Sequence, residues 1–420
     1  MRRFRDCIAA AAILCAGAIL SATANAAEPL TLTDAIDRAL RTAPAIDAAA
    51  AQSDLGAARV AEARAPFYPD IEAGAEYNQA PGYDTVITNR GLTLAQLMLG
   101  YTVYDGGRRT DQARAAQYAA EAAALGVDAA RAQIVFDVSV AYFDLMRQRE
   151  RASELEASLE RLAGYVRIVE ALERSGRAIA NDVLRIRSAR DAAQLALAGV
   201  QLEADHASIL LGSIIGESGS TDLRVAESSA LPPPSAGEIT DSPAYRAAER
   251  QVKAARLSVN AAEAERAPTL KLALTAGWEG IDPPKTFDRR LGASYDGAVS
   301  LPIFTGGLLQ SHVDQAKAAE RAAIAQQRQV ERDLKRDLAD ATTRYQNARR
   351  QLVLLAQSQS TSDDSFALAW TRFLGGGTVT LLEVTDAYRQ AESLRLAHFD
   401  QEFAARQAAA QAKLLLGLSG

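Results

Sequence analysis

Cysteine is almost missing from this chain: its 420 residues hold two, Cys7 and Cys15. Beyond them there is no disulfide or thiolate metal site to brace a fold. Aromatic residues make up only 6%, although 48% of the residues are hydrophobic. The apolar content is therefore mostly thin side chains, alanine foremost, which suits closely packed helices rather than a thick globular core. No segment after the N-terminus offers the roughly 18 uninterrupted apolar residues of a membrane-crossing helix. The 46 basic and 52 acidic residues give a net charge of −6 with no basic block, so nucleic-acid binding has no support. Histidine is scarce too. His206, His312 and His398 fall on separate predicted helices without carboxylates at ligand spacing, and no lysine follows Gly375–Gly377 as a phosphate loop would require. The sequence thus proposes no catalytic residue, no metal site and no cofactor.

What is present begins with a leader. Residues 1–26 combine arginines at 2, 3 and 5 with an apolar run from Ile8 to Leu20 and a small-x-small site at Ala24-Asn25-Ala26. That is the pattern of a secretory signal peptide. Cys15 as a lipid attachment point is disfavoured, because Leu14 stands where a small residue belongs.

The two halves of the remainder repeat one another. Ala43-Pro44 is answered by Ser242-Pro243, Arg64-Ala65-Pro66 by Arg266-Ala267-Pro268, and Gly106-Gly107 by Gly306-Gly307. Gly176 with Asp182-Val183 is answered by Gly377 with Glu383-Val384. All four offsets lie between 199 and 202 residues, which indicates a tandem duplication. The expected division is a first repeat over 27–215, a linker over 216–241 and a second repeat over 242–420.

Each repeat opens with a helix. In the first it is capped by Thr33, carries Asp34 in its first turn and runs to about Arg64, where Pro66 and Pro69 end it. A hairpin follows, spanning 70–104 in one repeat and 269–304 in the other. Ile71, Ala73, Ala75 and Tyr77 alternate with polar residues, and the return strand carries Leu97, Leu99, Tyr101 and Val103 on one face. The second repeat aligns Leu270, Leu272 and Leu274, then Tyr295, Gly297, Val299, Leu301 and Ile303. Very long helices come next. Leu334, Leu338, Ala341, Tyr345, Ala348, Leu352 and Leu355 step by alternating fours and threes, a coiled-coil pattern. About 65 helical residues at 1.5 Å each predict a rod of roughly 100 Å. Turns are expected near 175–182, at Gly176, and near 374–383, at Gly375, Gly376 and Gly377.

A single hairpin is marginal in water. Strands of about ten residues, however, match the length needed to cross a bilayer at a tilt. Four strands cannot close a barrel, and open edges in hydrocarbon leave backbone groups unpaired. Closure then requires other chains: two would give 8 strands around a filled interior, three would give 12 and leave a lumen. A periplasmic coiled-coil structural or adaptor protein has no use for two duplicated amphipathic hairpins, and a passive porin would spend its residues on many strands.

The opening LTLTDAIDRAL, the Arg-Ala-Pro stops, the DGG and TGG exits and the G-x5-[DE]-V turns together resemble the outer-membrane efflux (TolC) family over essentially the whole mature chain. The resemblance implies a mostly α fold with a small membrane β part. Its long antiparallel coiled-coil helices would form a periplasmic α-barrel, and its two hairpins would contribute to a 12-stranded trimeric β-barrel in the outer membrane. It further implies a homotrimer embedded in outer-membrane lipid, and two partners: a periplasmic adaptor and an inner-membrane transporter of the ABC or proton-driven kind. Gly106, Gly107, Gly306 and Gly307 would mark the strand-to-helix junctions. The cargo, whether drug, metal or secreted protein, would be set mainly by the pump.

By the same resemblance, Glu383 and Asp386, three residues apart on one helix face, look like the acidic pair that rings the periplasmic aperture, with Asp182 on the first turn. The competing role for acids at a helix start is electrostatic support of its N-terminus. The family's tyrosine–arginine lock is replaced by Leu374 and Val379, leaving Arg177 or Arg372 as candidate partners.

Overall fold

The computed structural model describes residues 29–82, 91–217, 219, 223–226, 237–281 and 291–418; the expected signal peptide lies outside them. From the helix before each hairpin onward, the element order repeats in the two halves of the chain, and α1 precedes the first copy. The first half contains α1 (Leu32–Thr42), α2 (Pro44–Arg64), β1 (Asp70–Gln79), β2 (Gly91–Tyr104), α3 (Arg108–Arg174) and α4 (Ala180–Ile214). The second contains α5 (Pro243–Ala264), β3 (Thr269–Ile281), β4 (Gly292–Ser300), α6 (Leu308–Leu374) and α7 (Leu381–Leu416). The long helices α3 and α6 each have 67 residues and begin 200 residues apart.

Three boundaries differ from the sequence expectation. The opening helix is capped by Thr31, not Thr33: the Thr31 hydroxyl accepts the Asp34 N–H at 3.1 Å and donates to the Asp34 carboxylate at 2.6 Å. That helix also does not run unbroken to Arg64. Pro44 drives the residue before it out of the α region, and Ala43 sits at ψ 114°, separating α1 from α2. The last strand ends at Ser300, leaving Leu301 and Ile303 outside it, because Pro302 has no N–H to give to a ladder.

The chain divides into two compact units, each drawing on both repeats. One comprises the described residues within 1–43, 134–233 and 344–410. Its first core packs Ala35 and Ala39 of α1 with Val138, Ala141, Tyr142 and Leu145 of α3 and Ala207 and Leu211 of α4. The Tyr142 hydroxyl lies 3.0 Å from the Leu30 carbonyl and 2.8 Å from that of Ala226, and Leu30 bridges Val225 in parallel. Burial pushes the Tyr142 phenol above its ordinary pKa, so it stays a hydrogen-bond donor. A second core of this unit is almost all alanine: Ala348, Ala405, Ala408 and Ala409 around Tyr345. Small side chains let these helices pack closely, as the composition suggested.

The other unit comprises 44–133, 234–343 and 411–420 and holds all four strands. They form one antiparallel sheet in the order β1-β2-β3-β4, so the two hairpins join through β2 and β3. Register settles the faces. Ile71 lies opposite Leu99, Leu99 opposite Leu274, and Leu274 opposite Tyr295, which puts most of the apolar strand residues on one side, with Leu92, Leu94 and Met98 of β2 on the other. Asp70, Glu72, Glu76, Gln96, Lys271, Thr275, Glu279, Ser294 and Asp296 share the other. The alternation slips once: a register shift between Thr102 and Tyr104 brings Tyr104 opposite Leu270, the place that strict alternation gives to Val103.

Where β2 becomes α3, the chain turns through Gly106 (φ 67°) and Gly107 (φ 89°), and Gly306 (φ 62°) and Gly307 (φ 89°) repeat the device before α6. Side chains other than glycine rarely adopt such angles. The surroundings of the two junctions differ. At the first, Asp105 accepts from the backbone N–H and the Nε of Arg109, both at 3.0 Å. The two side chains are 5% and 10% exposed. Arg109 also donates to the Pro66 carbonyl at 2.8 Å and sits over the Phe67 ring. The second junction has Thr305 and Leu309 at these positions.

Removing one partner of a buried ion pair strands the other, at a cost of about 3–5 kcal/mol. Asp105→Ala should therefore lower the free energy of unfolding by that order in denaturant titration. The double variant Asp105→Thr/Arg109→Leu, which imports the second junction's residues, should recover most of the loss; equal losses would show that the pair does not act as a unit.

Candidate functional site

The candidate aperture residues follow the turns that end α3 and α6. At the first, the Gly176 N–H donates to Glu173 O at 2.9 Å and the Arg177 N–H to Leu172 O at 2.8 Å. At the second, the Gly376 N–H donates to Phe373 O at 3.2 Å and the Gly377 N–H to Arg372 O at 3.0 Å. These are the two crossed bonds that close a helix on a left-handed residue, and Gly176 and Gly376 both have φ 74°. The structural counterpart of Gly176 is thus Gly376, not Gly377 as the spacing suggested, and the second turn is one residue longer. Gly375 precedes the left-handed residue and Gly377 follows it. Arg177 reaches the second turn and donates to the Leu374 carbonyl at 2.6 Å. Val379 packs against the apolar cluster below.

The three carboxylates divide between two tasks. Glu383, at the third position of α7, accepts the Thr380 N–H at 2.9 Å, and Asp182, at the third position of α4, accepts the Ile179 N–H at 3.2 Å. Both satisfy a backbone donor that a helix start leaves without a partner. Asp386 instead pairs with Arg389 one turn on, an arginine the sequence reading did not single out. Glu383 and Asp386 are both exposed, whereas Leu381, Val384, Thr385 and Tyr388 of the same helix are buried. The acidic pair therefore lies off the packed face.

Behind the turns lies a cluster that the sequence reading did not assemble. Leu162, Val166 and Val169 of α3, Val183 and Ile186 of α4, and Leu381, Val384 and Tyr388 of α7 form its buried part. Five aromatic residues lie on it, with Tyr165 4.5 Å from Trp370 and Phe366 5.2 Å from Tyr388 between ring centres. Burial raises the pKa of Tyr165, and the nearby Tyr388 adds to the shift. A polar seam continues along α3 and α7. Fully buried Ser158 meets the Tyr388 hydroxyl at 2.7 Å and also bonds Glu392. Arg395 joins Glu154 at 2.8 Å and Asp363 of α6 at 2.6 Å. Arg161 joins Glu154 at 2.7 Å; burial acts against its charge, but hydrogen bonds to Tyr388 and Glu154 outweigh that and raise its pKa. Arg151 joins Asp400 at 3.0 Å. The signal available in the sequence was the concentration of Tyr165, Phe366, Trp370, Phe373 and Tyr388 beside the turns of an aromatic-poor chain.

Arg395 is 18% exposed and holds two carboxylates, so Arg395→Met should cost about 1.5–3 kcal/mol, as loss of charged hydrogen bonds does. Arg187, 49% exposed on its pair with Glu170, marks the contrast: Arg187→Met should cost under about 1 kcal/mol. Denaturant midpoints compare the two, and equal shifts would show that the seam contributes no more than a surface pair.

Comparison with known proteins bears on the whole of this arrangement. The family model for outer membrane efflux protein matches residues 35–217 and 238–418. The chain is 25% identical over 322 residues to the outer membrane efflux protein BepC of Brucella suis, covering 75% of this chain and 69% of BepC. It is 26% identical over 312 residues to protein CyaE of Bordetella pertussis, covering 70% of this chain and 65% of CyaE. Its fold is similar to the crystal structure of the outer membrane protein VceC from Vibrio cholerae, with a TM-score of 0.82, 20% identity and coverage of 92% of this chain and 96% of VceC. The chain belongs to the outer membrane efflux protein family, a family of outer-membrane channels and not of enzymes.

Proposed function

We propose that the protein works as a homotrimer whose four-stranded sheets, one from each chain, close a 12-stranded barrel in the outer membrane. Through it would pass cargo received from a periplasmic adaptor and an inner-membrane transporter, ABC or proton-driven. The observation that carries this reading is the sheet itself. One face is apolar and open, with Tyr295 84% and Val299 72% exposed, which suits contact with lipid rather than water. The other bears five carboxylates, at Asp70, Glu72, Glu76, Glu279 and Asp296, against the single cation Lys271 among the described strand residues, which suits a wet lumen. The strands are 10, 14, 13 and 9 residues long, enough to cross the hydrocarbon at a tilt. The two sequence repeats and the linker between them serve as its organisation: each repeat supplies one hairpin and one pair of long helices.

The exposed pair Glu383 and Asp386 is the proposed aperture ring, with Asp182 beside the first turn. Three chains would bring six of these carboxylates around one axis. Like charges held so close repel, and Arg389, already paired with Asp386, supplies part of the compensation. Glu383 combines this role with capping α7.

Three outcomes test the proposal. The detergent-extracted protein should have the mass of a trimer; a stable monomer or dimer would overturn the reading. A charge at the lipid-facing midplane costs about 2–4 kcal/mol, so Leu99→Arg should impair assembly far more than Thr102→Arg, and equal effects would invert the faces. In single-channel recordings the closed channel should prefer cations and be blocked by divalent ions. Glu383→Gln with Asp386→Asn should abolish that block while the trimer persists, because the amide oxygen of a glutamine side chain still accepts the capping N–H. Unchanged selectivity and block would leave the pair with only its capping and ion-pair roles.

A further inference from the structure

The alternation that sorts the faces of the sheet fails on one strand. From Leu92 to Leu99, β2 carries large apolar side chains on both faces, whereas β1 turns Asp70, Glu72, Glu76 and Asn78 to the polar side. Leu97 and Leu99 belong with the lipid-facing set. Leu92, Leu94 and Met98 therefore stand on the wall of the proposed lumen, where Met98 is 38% exposed. None of the three joins a buried apolar cluster of the described residues. Register sets carboxylates beside them. Glu76, Leu94 and Glu279 occupy one row across three strands, and Glu72, Met98 and Thr275 another. Neighbouring strands lie about 4.8 Å apart, so Leu94 has an acidic residue on each side. Lys271, the cation of this face among the described strand residues, stands opposite Thr102. It is four residues along β3 from Thr275 and eight from Glu279, about 13 and 26 Å at the rise of a strand, too far to pair with the acids of either row.

We propose that this strip of β2 is a binding surface for permeants that join a cation to an apolar body, so that the barrel wall itself favours cationic amphiphiles over anionic or purely polar cargo. Apolar side chains held against water are unfavourable in proportion to their exposed area, and the lipid lies on the opposite face. An apolar body lying along β2 removes that area from water. Its cationic head then has Glu76 and Glu279 on either side at the Leu94 row, or Glu72 at the Met98 row. The two rows are four residues apart, about 13 Å, so a permeant can move from one to the next along a continuous wall. Successive weak sites of this kind let a cargo be favoured and still released. The acids alone would attract any cation, hydrated metal ions included, and the apolar strip alone would hold any apolar solute. Their placement in one row selects for both properties together. The inference rests on the barrel proposed above and names the class of cargo that its wall prefers.

Channel block tests it, with hexyltrimethylammonium, tetramethylammonium and hexanesulfonate as probes added to a planar bilayer on the side of the hairpin loops. Hexyltrimethylammonium should halve the single-channel current at a concentration about tenfold below that of tetramethylammonium, the effect of burying roughly two methylenes. Hexanesulfonate should block least. Leu94→Ser with Met98→Ser should erase the difference between the two ammonium ions. Glu76→Gln with Glu279→Gln should instead weaken the block by both of them. Leu94→Thr alone, a milder change that keeps a strand-forming residue, should narrow the difference and repeats the test in case the double serine variant does not assemble. A wild-type channel blocked equally by the two ammonium ions, or apolar-strip variants that keep the full tenfold difference, would overturn the inference and leave the channel standing. A protein that forms no channel would overturn both.

Discussion

The constraint on which the rest of this structure depends is that a strand edge in hydrocarbon must find a partner for its N–H and C=O groups. A helix satisfies those groups internally; a sheet of four strands does not. The chain meets the constraint halfway, by making two hairpins from one duplicated unit and pairing them through β2 and β3. What remains is one edge at each end of the sheet, β1 and β4. Other features follow from that. Strands that leave the membrane must become helices at a fixed place, and the positive-φ glycine pairs make that change within two residues.

Duplication also lets equivalent positions diverge. The first junction holds a nearly buried Asp105–Arg109 pair that clamps the Pro66 carbonyl and Phe67, while the second has Thr305 and Leu309 and a rim of exposed apolar residues. A buried ion pair is no stronger than well-packed apolar contacts, so the difference concerns what each junction meets. The first closes on its own chain, where a fixed geometry is available. The second presents surface that burial elsewhere can use.

The sequence carries the strand faces openly, because a period of two is local and Leu97, Leu99, Leu272 and Leu274 obey it. The long helices were legible for the same reason. What escaped were points where two local signals compete. Thr31 and Thr33 both offer a cap, and the reciprocal bonding with Asp34 selects the first. Pro44, inside a continuous helical pattern, ends α1 and starts α2. Pro302 stops β4 although the apolar alternation continues through Ile303. The turn counterpart shifted from Gly377 to Gly376 because three successive glycines give spacing nothing to choose by, whereas the crossed bonds do. The acids Asp182, Glu383 and Asp386 were legible as a group, but their partners were not: Arg389 competes with other nearby arginines, and Glu154 meets Arg395 across 241 positions.

That last contact shows what polar residues contribute in a chain built on alanine. Cores such as Ala348, Ala405, Ala408 and Ala409 around Tyr345 offer nearly uniform surfaces, and a helix slid by one heptad past such a surface loses little contact. Long antiparallel helices therefore need another feature to define their register. The seam between α3 and α7 supplies it in alternating sign: Arg151 to Asp400, Glu154 to Arg395, Ser158 to Tyr388 and Glu392. Advancing α7 by seven residues would bring Glu402 to Glu154 and take Asp400 away from Arg151, replacing attraction by repulsion at partly buried sites where charges are weakly screened. The ladder's value lies less in net stability than in excluding neighbouring registers. It does so directly behind the turns, where a slip of one heptad would carry Glu383 and Asp386 about 10 Å along the helix axis and dissolve any ring they form.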